Sequence, residues 1–414
     1  MISIRSFVLY TTIAGLFGTA AYFTVGTVMI QVFYLLMLVN LILMLSMKRL
    51  WIPTGLLGFV ALLAGSGLVG ILRGTDTLPL FAKEFSGIVF SAFYFCCFFR
   101  AMSFDLKKCF RLYARMAYWV AIIGIVLFPF RLLLTGEYRL RSILTEPSMF
   151  VLTCVPALYY FADQWQRYRA NRREFLVMLA AFILAGSSNG FLAILFGMVI
   201  FFMRYRRARF VMPGIVIIAG LSFYALFQDV ELRVNDSFRA LQEFDLSGTN
   251  LSTWALFSNM FVAQQVLIEH PILGNGLGSH GLSYEKYIGQ VQGVDEFMGS
   301  VGEGLNAADA NSLATRVLSD MGTMGGLFVV WFLWKYRPRG DSDFEMMSKA
   351  IWVYFFVKLL RGGQYFSNEQ YFFIVLYVLN RLAVLRPGFL QRPITARHFP
   401  IKALHLSSGY SAPS

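Results

Sequence analysis

The feature that most constrains this chain is the recurrence of long apolar runs separated by short basic clusters. The runs fall near 7–24, 28–47, 54–72, 79–99, 112–133, 147–164, 173–187, 189–203, 210–228, 312–334, 350–361 and 370–385. A stretch of about 20 apolar residues is long enough to cross the hydrocarbon core of a bilayer, and somewhat shorter runs suffice where neighbours shield their ends. Backbone at that depth must satisfy its own hydrogen bonds, which leaves helices for runs of this kind. The expected fold is therefore all-α: a polytopic integral membrane protein with about 12 transmembrane helices. The short pair 173–187 and 189–203 reads as a hairpin turning at Ser187-Ser188-Asn189-Gly190.

Composition agrees, because 57% of the 414 residues are hydrophobic and 14% charged. Soluble domains average about 45–50% and about 25%, so much of this apolar surface is expected to face lipid. A net charge of +13 would point to nucleic acid in a soluble protein, but here the basic residues sit between the spans. With the amino terminus inside, Lys48, Arg49, Lys107, Lys108, Arg111, Arg167, Arg172, Arg204, Arg209, Lys335 and Arg386 all fall on the cytoplasmic side. Asp76, Glu137, Glu231, Asp245 and Glu296 fall outside. This is the positive-inside pattern; it puts both termini in the cytoplasm and leaves no role for nucleic acid. The first run is too long for a signal-peptide core and is expected to be an uncleaved span. Cys96, Cys97, Cys109 and Cys154 show no metal-ligand spacing, so neither a metal nor a cofactor is expected.

The run of short loops breaks at 229–311, where irregular backbone cannot lie in hydrocarbon. Helical periodicity around 254–268 and the aromatic residues Trp254, Phe257, Phe261, Tyr284 and Tyr287 suggest an ordered cap, since long loops in compact bundles are either functional or disordered. Pro271 should end the helix before it. Residues 1–228 thus form an N-terminal transmembrane bundle of about nine helices. Residues 229–311 form one large ordered extracytoplasmic (periplasmic) loop, 312–385 the C-terminal helices and 386–414 a cytoplasmic tail.

Within this loop and beside it lie Trp254, the stretch Ile268-Glu269-His270-Pro271-Ile272-Leu273-Gly274-Asn275-Gly276-Leu277-Gly278, then Asn311-Ser312-Leu313 and Ser319-Asp320-Met321-Gly322. In this order the sequence resembles the O-antigen polymerase and ligase superfamily over about residues 140–330. Arg141 with Thr145-Glu146-Pro147-Ser148, and Ser187-Ser188-Asn189-Gly190, resemble the polymerase branch, especially the exopolysaccharide polymerases. The ligase branch carries a histidine just before the late asparagine, where this chain has Ala308-Asp309-Ala310-Asn311. The resemblance implies a glycosyltransferase of the bacterial inner membrane that joins polyprenyl-diphosphate-linked oligosaccharide units at the periplasmic face. Chain-length-regulating and flippase proteins would be its companions. The alternatives are an O-antigen ligase moving a finished glycan, and a lipid-linked glycan transporter; the latter should show internal repeats, and none is evident.

Cleaving a sugar–diphosphate bond releases a multiply charged leaving group, which the planar, permanently charged guanidinium suits. Arg139, Arg141, Arg233, Arg239, Arg316 and Arg361 fall on the outer side and are the candidate diphosphate ligands. Arg316 lies inside a span, where a charge costs at least about 2.5–3.5 kcal/mol; it lines a wet cavity or meets a partner there, unless it snorkels to the interface or pairs with Asp320 four residues on. The acceptor hydroxyl needs a base, and Glu146, Asp309 and His280 are the candidates. Glu146 is alternatively a helix-entry carboxylate with Pro147 at the first helical position, and Asp309 a cap for the helix that follows. Asp341-Ser342-Asp343 has the spelling of a nucleotide-sugar metal motif, but two aspartates in a short cytoplasmic loop do not make a metal site.

Overall fold

The computed structural model describes residues 3–25, 28–47, 50–202, 235, 249, 251–291, 294 and 304–386. Within them the chain is mostly helical, with thirteen α-helices and one two-stranded sheet. The order is α1 (Ile4–Gly15), β1 (Tyr22–Val25), β2 (Val28–Gln31), α2 (Val32–Ser46), α3 (Thr54–Arg73), α4 (Leu78–Ala101) and α5 (Leu106–Thr135). Then come α6 (Pro147–Tyr168), α7 (Arg172–Ala185), α8 (Ser188–Gly197), α9 (Leu251–Glu269), α10 (His280–Tyr287), α11 (Leu313–Lys335), α12 (Asp343–Leu360) and α13 (Gln370–Leu385). Five of them, α3, α4, α5, α9 and α11, are long and apolar enough to cross a membrane. Large apolar side chains such as Leu72, Leu133, Leu134, Leu327 and Trp334 lie on the molecule's outside, a surface suited to lipid. The expected span 210–228 and the segment carrying Arg233 and Arg239 lie outside the described residues.

The first expected span, 7–24, is divided. α1 stops at Gly15, and Tyr22–Val25 pairs antiparallel with Val28–Gln31. The strands are rich in aromatic and β-branched residues, which favour extended backbone. A hydropathy reading counts the same residues simply as apolar. α9 runs Leu251–Glu269 and ends ahead of Pro271, which cannot continue a helix.

α12 is central, packed on α6, α13, α8 and α11. At one end of the bundle, basic residues hold neighbouring helix ends together. Lys107 at the start of α5 pairs with Asp343 at 2.6 Å, and Lys349 with Asp341 at 3.0 Å. Arg167 near the end of α6 donates to the Asp341 carbonyl at 2.5 Å and pairs with Asp163 at 2.6 Å. Ser342 caps α12 by accepting from the Glu345 N–H. Both aspartates of the Asp341-Ser342-Asp343 motif are therefore engaged in ion pairs, and no group of three metal-ligating side chains occurs among the described residues.

The other end is shaped by a break in α11. Gly322 takes φ 61°, ψ −158°, so the amides of Thr323 and Met324 cannot reach the carbonyls of Ser319 and Asp320 one turn earlier. The segment after α9 replaces both missing bonds. Pro271 and Ile272 carbonyls accept from Thr323 and Met324, while Asn275 and Gly276 N–H groups donate to Ser319 and Asp320 carbonyls, at 2.9–3.1 Å. Buried backbone groups need partners, so the glycine-rich motif and the kink complete one another. The close approach also involves α3. A Cβ on Gly70 would lie 2.6 Å from the Gly276 Cα, and one on Gly276 2.9 Å from the Gly70 Cα.

Gly70→Ala should therefore lower the melting temperature of the detergent-solubilised protein, by overpacking worth about 1–3 kcal/mol. Gly65→Ala, about one and a half turns earlier on α3 with nothing within 4 Å of the added carbon, should not lower it and should raise it slightly, since alanine favours helix over glycine. Differential scanning fluorimetry compares the two directly.

Candidate functional site

At the end of the bundle opposite the basic cluster lies a polar cavity of about 520 Å³. Separate stretches of chain build its walls: the turn after α1, the end of β2, the α5–α6 connection with the first turns of α6, the α7–α8 turn, Ser252 at the start of α9, and the paired segments 306–311 and 358–369. A backbone bond from Gly362 N–H to the Asn311 carbonyl at 2.8 Å ties the last two together. Their contact is so close that a Cβ on Gly363 would overlap the Asp309 carbonyl oxygen, which accounts for the glycine pair after Arg361.

Four of the candidates named from sequence line this cavity: Glu146, Asp309, Arg139 and Arg361. Glu146 stands immediately before α6, with Pro147 at the first helical position. Its Oε2 accepts from the Ser148 hydroxyl at 2.8 Å, so it is both a helix-entry carboxylate and a cavity residue. Asn189 of the α7–α8 turn donates to the Ser148 carbonyl at 3.4 Å, which brings the segments 145–148 and 187–190 side by side. Arg139 donates to the Gly186 carbonyl at 2.8 Å, and Arg361 to the Ser252 carbonyl at 3.1 Å.

Asp309 sits in a tight turn whose next two residues, Ala310 and Asn311, both adopt left-handed backbone (φ 58° and 55°). Non-glycine residues rarely do so, and such strain gathers at functional sites. The Asp309 Oδ1 accepts from the Asn311 N–H at 3.0 Å, while Ser312 caps α11 by accepting from Thr315. Asp309 is thus not the helix cap that its position suggested. Burial pushes its carboxyl above the ordinary aspartate range, against the opposing pull of the Asn311 hydrogen bond and nearby Arg316.

The other candidates lie elsewhere. Arg141 pairs with Glu137 at 3.3 Å and is not among the cavity-lining residues. Arg316 is buried a layer away. It pairs with Glu84 of α4 at 3.0 Å and lies 3.7 Å from Asp320. It also donates to the Gly363 carbonyl at 3.2 Å and stacks 4.3 Å from the Tyr365 ring centroid. Asp320 in turn accepts from the backbone N–H groups of His280 (2.9 Å) and Gly278 (3.1 Å). The His280 ring is fully buried, with Nε2 2.9 Å from the Asn259 Oδ1. Burial, assisted by the Arg316 charge, pushes its imidazole down to about 3, so it is neutral at physiological pH.

Two ionisable cavity side chains escaped the sequence reading, Lys358 and Glu369. Both line the cavity and are almost wholly buried at its floor. Lys358 lies 3.6 Å from Glu369 and hydrogen-bonds to Ser367, and the Glu369 Oε1 also accepts from Ser367 (2.7 Å) and Tyr354 (2.8 Å). The signal was a lysine inside an apolar run, the same intramembrane charge that singled out Arg316. No protein-family model matches the chain, and no curated protein matches it.

Arg316→Lys should fail to restore stability, because an ammonium cannot make the planar fork or the ring stacking. Arg316→Met should cost about 3–5 kcal/mol by leaving Glu84 and Asp320 buried without their cation, read as loss of the folded species by size-exclusion chromatography. His280 gives a pH signature. Its folded value lies below the ordinary 6.5, so the unfolded chain takes the proton first. Stability should fall as pH drops from about 6.5 toward 3, and His280→Gln should flatten that slope in pH-dependent melting curves.

Proposed function

We propose that this chain is a polysaccharide polymerase, a membrane glycosyltransferase that joins polyprenyl-diphosphate-linked oligosaccharide units in the cavity. The observation that carries the reading is the meeting of Arg139 and Arg361 with Glu146 and Asp309 on one cavity, from stretches far apart in sequence. The excess of Lys and Arg at the opposite end of the bundle supports an orientation with that end in the cytoplasm. The cavity then opens toward the periplasmic face of a bacterial inner membrane. In this reading about 12 helices span the bilayer, both termini are cytoplasmic, and residues 229–311 form the large outer loop.

The chemistry follows from the side chains. The acceptor hydroxyl attacks the anomeric carbon of the donor, and the bond from that carbon to the diphosphate oxygen breaks with its electron pair leaving on the phosphate. The guanidinium groups of Arg139 and Arg361 answer the charge that develops there. Asp309 takes the acceptor proton. Burial raises its carboxyl above the ordinary aspartate range, which makes it a stronger base than an exposed aspartate. Glu146, whose charge acts on Asp309, lies close enough to help orient the acceptor.

The test is complementation of a strain lacking its own polymerase with a matched substrate, reading polymer length on a gel. Wild type should give a ladder. Asp309→Asn should reduce it by the 10²–10⁴-fold expected for loss of a base, and Arg361→Ala should collapse it to single repeat units at equal membrane expression. Transfer of a preformed chain by wild type without a ladder would replace this reading with a ligase; restored movement of the lipid-linked unit would replace it with a transporter.

A further inference from the structure

The charged groups of the cavity are unevenly placed. Arg139 and Glu146 belong to the α5–α6 side, and Asp309 and Arg361 to the middle. The remaining side is contributed by the turn after α1, the end of β2 and the stretch 364–368. It is anchored there by Asn368, which donates to the Gly15 carbonyl at 3.1 Å, and by Tyr34, which donates to the Phe366 carbonyl at 2.8 Å. Its cavity-lining side chains are uncharged: Thr19, Gln31, Gln364, Ser367 and Asn368. Lys358 and Glu369, which line the cavity beside it, are paired with one another.

On this side, and on Asn311 adjoining it, polar atoms are buried with no hydrogen-bond partner among the described residues. They are the Thr19 Oγ1, the Gln31 Oε1 and the Asn311 Nδ2. Thr19 is 9% exposed. The Asn311 Oδ1 is already engaged by Asn306 at 3.2 Å, so only its amide nitrogen is unmet. An unsatisfied buried polar group costs about 1–3 kcal/mol, and native structures hold few without a reason. Here three of them line one cavity, and together they offer an acceptor, a donor and a hydroxyl that can be either. Carbohydrate hydroxyls both donate and accept, and among the described residues lining this side no cationic side chain stands to meet a carboxylate-bearing sugar.

We propose that the side of the cavity formed by the turn after α1 and the end of β2, with Asn311 adjoining it, is a subsite for an uncharged sugar unit, with Thr19, Gln31 and Asn311 reading its hydroxyl groups. The proposal rests on the glycosyl-transfer reading of the same cavity and adds to it which wall sets sugar specificity and for what class of sugar.

The experiment is a titration of the full chain in lipid nanodiscs with methyl β-glucoside, methyl β-galactoside and glucuronate, followed by saturation-transfer NMR. At least one neutral glycoside should bind, at least fivefold more tightly than glucuronate. Gln31→Ala and the isosteric Thr19→Val should each weaken it at least fivefold without changing the melting temperature, while Leu327→Ala, on the molecule's outside and away from the cavity, should leave binding unchanged. No binding of either neutral glycoside, tighter binding of glucuronate, or equal binding by the variants would each overturn the proposal. The polymer-length assay on the same variants separates the two readings. A ladder made equally well by Gln31→Ala and Thr19→Val, with the same repeat unit, removes the subsite and spares the polymerase. Neutral-glycoside binding by a wild type that makes no ladder removes the polymerase and spares the subsite.

Discussion

The end of the bundle that carries the cavity is organised around one buried cation. Arg316 reaches Glu84 of α4, Asp320 one turn along its own helix, the Gly363 carbonyl and the ring of Tyr365. The four contacts come from three stretches of chain, so the guanidinium fixes α4, α11 and the α12–α13 connection relative to one another. In a low-dielectric interior such a cluster is stable only when every charge is answered, and that makes its geometry stiff. Asp320 extends the cluster by accepting the Gly278 and His280 amides. The glycine-rich segment is thereby locked onto the broken turn of α11.

Position follows from this for the cavity. Gly363 is both the carbonyl that Arg316 holds and the residue pressed against Asp309. The candidate base is thus set in place by a cation that does not itself line the cavity. Arg316 and Arg361 divide two tasks that looked alike in sequence, the first building the wall and the second standing in it. The left-handed backbone at Ala310 and Asn311 persists because the turn is clamped between the Gly362 N–H bond and the Ser312 cap.

Much of the architecture was legible because apolar length and helix length obey the same constraint. The expected runs at 54–72, 79–99, 312–334 and 370–385 reappear as α3, α4, α11 and α13 with ends shifted by a few residues. The strand pair at 22–31 was not legible, since hydropathy counts Tyr22 and Val25 as it counts a helix residue. In the site, Glu146, Asp309, Arg139 and Arg361 could be named from residue type and from placement at one end of the runs. Their meeting could not, because it depends on contacts between stretches more than a hundred residues apart. Arg316 posed a choice between wet cavity and ion pair that sequence left open. The decision came from Glu84, whose distance in sequence hid it.

Lys358 shows the same limit from the other direction. A lysine one turn before the end of an apolar run can snorkel to the interface, and nothing local separates that from burial. Burial is decided by Glu369 and Tyr354, the first beyond the turn that follows α12 and the second one turn back along it. The pair puts opposite charges under the cavity floor that cancel at long range but leave the surrounding wall polar. A floor of that kind presents no net charge to an anion, so under the proposed reading Arg139 and Arg361 are the groups that a phosphate would meet.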